Sequence, residues 1–172
     1  MNKRGDAMEN IILIGMPGCG KTTIGVELSR KIGYGYVDSD SVIVAREGKL
    51  LSEIIAKVGN EGFLDVEAKV NSELCVNRCV IATGGSVVYR DCAMQKLKQL
   101  GKIVYLQLSY EEIEARLGDL KARGVVLKEG FTLKNLYEER TPLYEKYADI
   151  IVRLDGQSVM QSVAAVAEAV TK

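Results

Sequence analysis

Between Gly15 and Thr22 the chain reads Gly-Met-Pro-Gly-Cys-Gly-Lys-Thr, a glycine-punctuated run closed by a cation and a hydroxyl. Glycines let successive backbone N–H groups converge on an anion, and a helix starting near Lys21 adds its positive N-terminal end. Lys21 suits the β- and γ-phosphates of a nucleotide as a point charge, and the Thr22 hydroxyl suits Mg²⁺. The run follows the apolar Ile11 to Ile14 and precedes an amphipathic stretch, which is the strand–loop–helix setting that GxxxxGK[ST] requires. A chance glycine turn is the plainer alternative, and that setting argues against it. The expected ligands of ATP are Gly15, Pro17, Gly18, Cys19, Gly20, Lys21, Thr22 and Thr23. Cys19 is expected to offer its backbone N–H, although a thiol at a helix N-terminus is also open to redox chemistry.

A second group with chemical capacity is Asp38 and Asp40, which follow the apolar pair Tyr36-Val37. Two carboxylates at the C-terminal end of a strand can serve different neighbours, and ligands gather at that end of open α/β sheets. The plainer reading is a helix cap and a solvated turn residue. Gly84 and Gly85 follow another apolar run, Val80 to Ala82, and permit close approach of a substrate to the backbone. The chain has no histidine, so Ser-His-Asp triads, HExxH zinc sites and histidine bases are excluded. Acid–base work falls to Asp, Glu, Lys, Tyr or Cys. The four cysteines read as free thiols, with Cys75 and Cys79 expected on one face of a helix as small buried hydrophobes.

The elements that must hold these residues are legible in the patterning. Ile11–Ile14, Tyr36-Val37, Val80–Ala82, Ile103–Leu108 and Asp149–Leu154 are short apolar runs of the kind that form buried parallel strands. Helical spacing marks Lys21–Ile32, the stretch through Phe63, Val66, Val70 and Leu74, Tyr110–Leu117 with Ser109 as N-cap, Thr132–Tyr147, and about Ser158–Val170. Their alternation predicts an α/β fold with a mainly parallel sheet covered by helices. One domain over residues 1–172 fits, with residues 1–9 as a tail and Met8 as a candidate native start. The charged, glycine-rich segment from Gly118 to Gly130 breaks the rhythm and reads as a surface loop or as a lid over the phosphate site.

Lys plus Arg and Asp plus Glu both number 23, for a formal net charge of zero, which disfavours a uniformly basic nucleic-acid binder. No apolar run approaches the ~18 residues of a membrane span, and Met1–Asn10 lacks a secretory apolar core. The expectation is a cytoplasmic protein with a small-molecule substrate and no nucleic-acid or membrane partner. Oligomeric state is not readable.

Absent motifs narrow the class. No guanine-reading NKxD and no DxxG switch occur, and the Val80 strand ends in Thr-Gly-Gly rather than Asp-Glu. Small-molecule kinases remain. Over nearly its whole length the chain resembles shikimate kinases, through Gly15–Gly25 (GMPGCGKTTIG), Val37–Asp40, Gly59–Phe63 (GNEGF), Ile81–Gly85 (IATGG), Gly101–Leu106 (GKIVYL) and Glu139–Asp149 (ERTPLYEKYAD), in that order. The resemblance implies a five-stranded parallel sheet, a mobile lid, and Mg²⁺-dependent transfer of the ATP γ-phosphate to a shikimate hydroxyl, a step of aromatic amino acid biosynthesis. It also implies roles. Asp38 helps hold Mg²⁺, Asp40 receives the acceptor hydroxyl as orienting group or base, and Gly84, Gly85 and Arg140 bind the substrate, Arg140 through its carboxylate. Arg116 corresponds to a position near adenine, and Arg123 to a lid arginine that meets the transferring phosphate. As alternatives, Arg116, Arg123 and Arg140 are solvated charges.

Three departures fall on the acceptor side. Leu64 stands where the family pattern GxxGFR has a second carboxylate-binding arginine, Ser86 replaces a third glycine, and Arg123-Gly124 replaces an Arg-Pro pair. Losing one charge-assisted contact costs about 2–3 kcal/mol, or roughly thirty- to a hundred-fold in affinity. Lys69, further along the same helix, is a candidate replacement. Alternatively the acceptor is another small hydroxylated acid or polyol, or the chain is a nucleotide-binding module that has lost transfer.

Overall fold

The computed structural model describes residues 9–117 and 130–172. The strands are β1 (Asn10–Ile14), β2 (Gly35–Asp38), β3 (Cys79–Ala82), β4 (Gly101–Gln107) and β5 (Ile150–Arg153). They form one parallel sheet in the order β2-β3-β1-β4-β5. The helices are α1 (Lys21–Ile32), α2 (Ser39–Glu47), α3 (Leu51–Ser72), α4 (Asp91–Leu100), α5 (Tyr110–Leu117), α6 (Leu133–Tyr147) and α7 (Val159–Thr171), with a 3₁₀ turn at Val87–Tyr89. Among the described residues no helix is long and apolar enough to cross a membrane.

β1 is buried along its entire length, which explains why it reads as an unbroken apolar run rather than an alternating one. Its one polar member, Asn10, satisfies its whole amide. Nδ2 donates to the carbonyls of Val76 and Leu100 at 2.9 Å each, and Oδ1 accepts from the Cys79 N–H at 2.9 Å. That side chain locks the N-terminal edge of three strands into register. At the other edge the Thr83 hydroxyl and N–H both reach the Leu13 carbonyl, at 2.9 and 3.2 Å, and continue the pairing of β1 with β3 past the last strand residue.

Connections leave β1 towards β2 on one side and arrive at β4 on the other, so the order reverses beside β1 and β3. In open α/β sheets the crevice at such a point, outside the C-terminal strand ends, is where ligands bind. The main core lies on both faces of the sheet. A second cluster of Ile43, Ile54, Phe63 and Val70 joins α2 to α3 and is separate from it.

Several elements differ from the sequence expectation. α2 and α4 were not anticipated, and the helix through Phe63 begins twelve residues earlier, at Leu51, with a non-helical Gly59 (φ 72°, ψ 177°) inside it. Cys75 lies beyond α3 and is exposed, and Cys79 opens β3 half-buried, so the two are neither helical nor a buried pair. The expected lid and Arg123 lie mostly or wholly outside the described residues, as do residues 1–8 of the expected tail.

Candidate active site

The loop from Gly15 to Gly20 links β1 to α1, and Gly20 (φ 99°) lets the chain turn into Lys21 at the first helical position. Gly18 sits at φ 79°, and a Cβ there would lie 2.9 Å from Leu117 of α5. Only glycine meets both demands. Inside the loop Lys21 is buried, and its Nζ donates to the carbonyls of Gly15 and Met16 at 2.7 and 2.9 Å. Those two contacts hold the ammonium against the loop.

Beside this loop the C-terminal ends of β2 and β3 and the faces of α3 and α6 enclose a cavity of about 670 Å³. Of the residues singled out from the sequence, Pro17, Gly18, Gly20, Lys21, Thr22, Thr23, Asp38, Asp40, Gly84, Gly85 and Arg140 line it. Gly15 and Cys19 do not. The Cys19 amide donates to the Met16 carbonyl at 3.2 Å within the loop, and its side chain is fully buried. Arg116 also lies off the cavity, paired with Glu112 on α5 at 3.3 Å.

Asp38 divides its two carboxylate oxygens between different neighbours. Its Oδ1 accepts the Ser41 N–H at 3.0 Å and caps α2, while its Oδ2 faces the Thr22 hydroxyl at 3.4 Å. A threonine hydroxyl and one carboxylate are the hard oxygen donors Mg²⁺ takes when phosphates and water complete its shell. The donor set therefore fits Mg²⁺. Asp40 sits in the first turn of α2. Burial and then the Asp38 charge push its carboxyl above the ordinary range, with Lys21 pulling the other way.

Across the cavity floor lies a residue that the sequence reading passed over. Glu67 is 1% exposed, accepts the Ser86 hydroxyl on Oε2 at 2.7 Å, and has no partner on Oε1. A Cβ built on Gly84 would stand 2.4 Å from that Oε1 and 3.0 Å from Asp40 Oδ1, so two carboxylates flank one glycine. Burial raises Glu67 to about 7; the Asp40 charge adds to this, and the Ser86 hydrogen bond, Arg140 and Lys21 oppose it. A signal was available. Glu67 falls four residues after Phe63 in the apolar stripe of α3, and a carboxylate in such a stripe needs a reason.

Arg140 on α6 is 8% exposed, donates from Nε to the Tyr89 hydroxyl at 3.1 Å, and stacks over the Tyr89 ring at 5.1 Å. Tyr89 donates onward to Glu139 at 2.5 Å, and Tyr144 anchors the Gly85 carbonyl at 2.6 Å. The guanidinium is thus held rigidly beside Gly85 with one edge towards the cavity. Arg90, also absent from the sequence reading, lines the cavity as well, whereas the suggested Lys69 is exposed and does not. Phosphate-cradling loop, paired carboxylates and fixed guanidinium together suit transfer of a phosphoryl group to an anionic alcohol.

The comparisons agree with that chemistry. The family model described as shikimate kinase matches residues 17–171. A shikimate kinase of Thermodesulfovibrio yellowstonii is 40% identical over 152 residues, covering 87% of each chain. One of Trichormus variabilis is 35% identical over 158 residues, covering 90% of this chain and 86% of its own. Among solved structures, shikimate kinase of Acinetobacter baumannii in complex with shikimate superposes with a TM-score of 0.88 at 30% identity, covering 96% of this chain and 94% of that one. The Aquifex aeolicus enzyme gives 0.80 at 32%, covering 94% and 96%.

Proposed function

Because this chain belongs to the shikimate kinase family, we propose that it moves the γ-phosphate of ATP onto a hydroxyl of shikimate. The reading is carried by one observation: Asp40 and the Gly84 backbone meet beside the phosphate loop, within one cavity that Arg140 also enters. We read residues 1–172 as one kinase domain working in the cytoplasm.

The chain's own groups supply positioning and charge. Loop amides and Lys21 hold the β- and γ-phosphates and offset the charge of the transferring group. Thr22 and Asp38 would hold Mg²⁺, which when bound neutralises phosphate oxygens. Asp40 accepts the hydrogen bond of the acceptor hydroxyl, aligns its oxygen with the γ-phosphorus and takes the proton. A bond forms from that oxygen to phosphorus as the bond to the ADP oxygen breaks. Arg140, already fixed by Tyr89, presents a planar fork to the acceptor's carboxylate. The resemblance assigns Arg123 to the transferring phosphate as well.

An ADP-release assay with ATP, Mg²⁺ and shikimate tests the reading. Shikimate is expected to stimulate release, and Asp40→Asn to lower kcat by about a hundred-fold or more while ATP affinity holds. Full turnover in Asp40→Asn would remove that residue's role. ATP binding without shikimate-stimulated release would move the chain to a nucleotide-binding module.

A further inference from the structure

Shikimate is a carboxylic acid, and a carboxylate entering a partly desolvated cavity wants more than one cation. Among the described residues lining the cavity, the cationic side chains are Lys21, Arg140 and Arg90. Lys21 is committed to the phosphate loop. Arg90 therefore stands out, and its surroundings say what it is doing there.

Arg90 follows Tyr89, whose hydroxyl holds Arg140, and leads directly into α4. Its side chain crosses to α3, with Nε on Asp65 at 2.8 Å and Nη2 on Glu61 at 3.0 Å. Position 64 lies between those two acids, so the guanidinium sits at the turn of α3 that carries Leu64, also a cavity residue. A positive charge thus occupies the space beside a leucine that cannot supply one. Its partners are on the surface, with the Glu61 and Asp65 side chains 74% and 70% exposed against 29% for Arg90. Such pairs are worth about 0–1 kcal/mol each and are readily exchanged. Nη1 makes no hydrogen bond among the described residues.

We propose that Arg90 is the second guanidinium for the acceptor's carboxylate, acting with Arg140 and held in place until then by Glu61 and Asp65. This rests on the acid-acceptor reading above. The residue sets specificity: it favours an anionic acceptor over a neutral alcohol of the same shape, and it does so through binding rather than through the transfer step.

The test compares shikimate with its neutral carboxamide in wild type, Arg90→Gln, Arg90→Lys and the double variant Glu61→Gln/Asp65→Asn. Arg90→Gln is expected to raise KM for shikimate about tenfold. Its kcat and KM for ATP should stay within about twofold, and the carboxamide should respond to wild type and variant alike. Arg90→Lys recovers part of the loss, since it keeps the charge without the fork. Freed from its two acids, Arg90 in the double variant should bind shikimate about twofold more tightly or better. A purely structural strap predicts the reverse: the double variant would lose what Arg90→Gln loses, for acid and amide equally. That result, or an unchanged KM in Arg90→Gln, overturns the inference alone. The double variant keeps the guanidinium and decides the matter even if Arg90→Gln does not fold. A wild-type enzyme that leaves shikimate untouched sinks the acceptor reading, and this inference with it.

Discussion

Replacing Glu67 by glutamine isolates the electrostatics of the cavity floor. The folded protein holds this carboxyl at about 7 against an ordinary 4.5, a difference equivalent to about 3 kcal/mol. The folded-state value is raised, so the native state binds the proton more tightly than the unfolded chain. Below pH 4.5 both states are protonated and nothing is lost. Between 4.5 and about 7 the unfolded chain ionises first and native stability falls. Above about 7 the full cost is carried. Glutamine removes the titration while retaining the shape and an acceptor for the Ser86 hydroxyl. Asp40, Asp38, Lys21 and Arg140 remain in both proteins, so most of their pH dependence cancels in the difference. Urea unfolding of the two proteins at intervals from pH 4.5 to 8 should give a stability difference that moves in the variant's favour by up to about 3 kcal/mol, with unchanged m-values. A difference that stays flat across that range refutes the reasoning, because a carboxyl kept near its ordinary value has nothing to lose.

Gly84→Ala puts a methyl group against Glu67 Oε1 and Asp40 Oδ1, and displacing the acceptor-aligning carboxylate should lower kcat/KM for shikimate about a hundred-fold while ATP binding, read by fluorescence titration, is kept. Equal loss of ATP affinity would mean that the loop itself had been disturbed. Arg140→Lys cannot hold both the Tyr89 hydroxyl and a carboxylate, so KM for shikimate should rise roughly thirty- to a hundred-fold in steady-state kinetics. A change confined to kcat would contradict its assignment to binding.

Where chemistry constrains spacing, the sequence was readable. The phosphate loop announces itself because backbone amides can surround an anion in few ways, and the strands do so because a sheet covered on both faces tolerates almost nothing polar. α2 and α4 escaped for the opposite reason. Each exposes most of its surface, burying Ser39 and Ile43 in one case and Ala93, Met94 and Leu97 in the other, so neither leaves a long apolar period. Of the acid pair, Asp38 caps a helix with one oxygen and faces Thr22 with the other, a division that only the fold reveals. Arg90 is invisible to local pattern because its partners, Glu61 twenty-nine residues back and Asp65 twenty-five back, meet it only through the fold, whereas Glu67 stands out in the apolar stripe of α3 although its partner Ser86 lies nineteen residues on.

The separate cluster of Ile43, Ile54, Phe63 and Val70 has a consequence for how this enzyme can change. α2 and α3 brace the acceptor side against each other through their own small patch of apolar contact, while the sheet and its main core anchor the nucleotide loop. A change at Leu64, on the cavity wall formed by α3, therefore falls on the helix that this patch braces rather than on the loop beside Lys21.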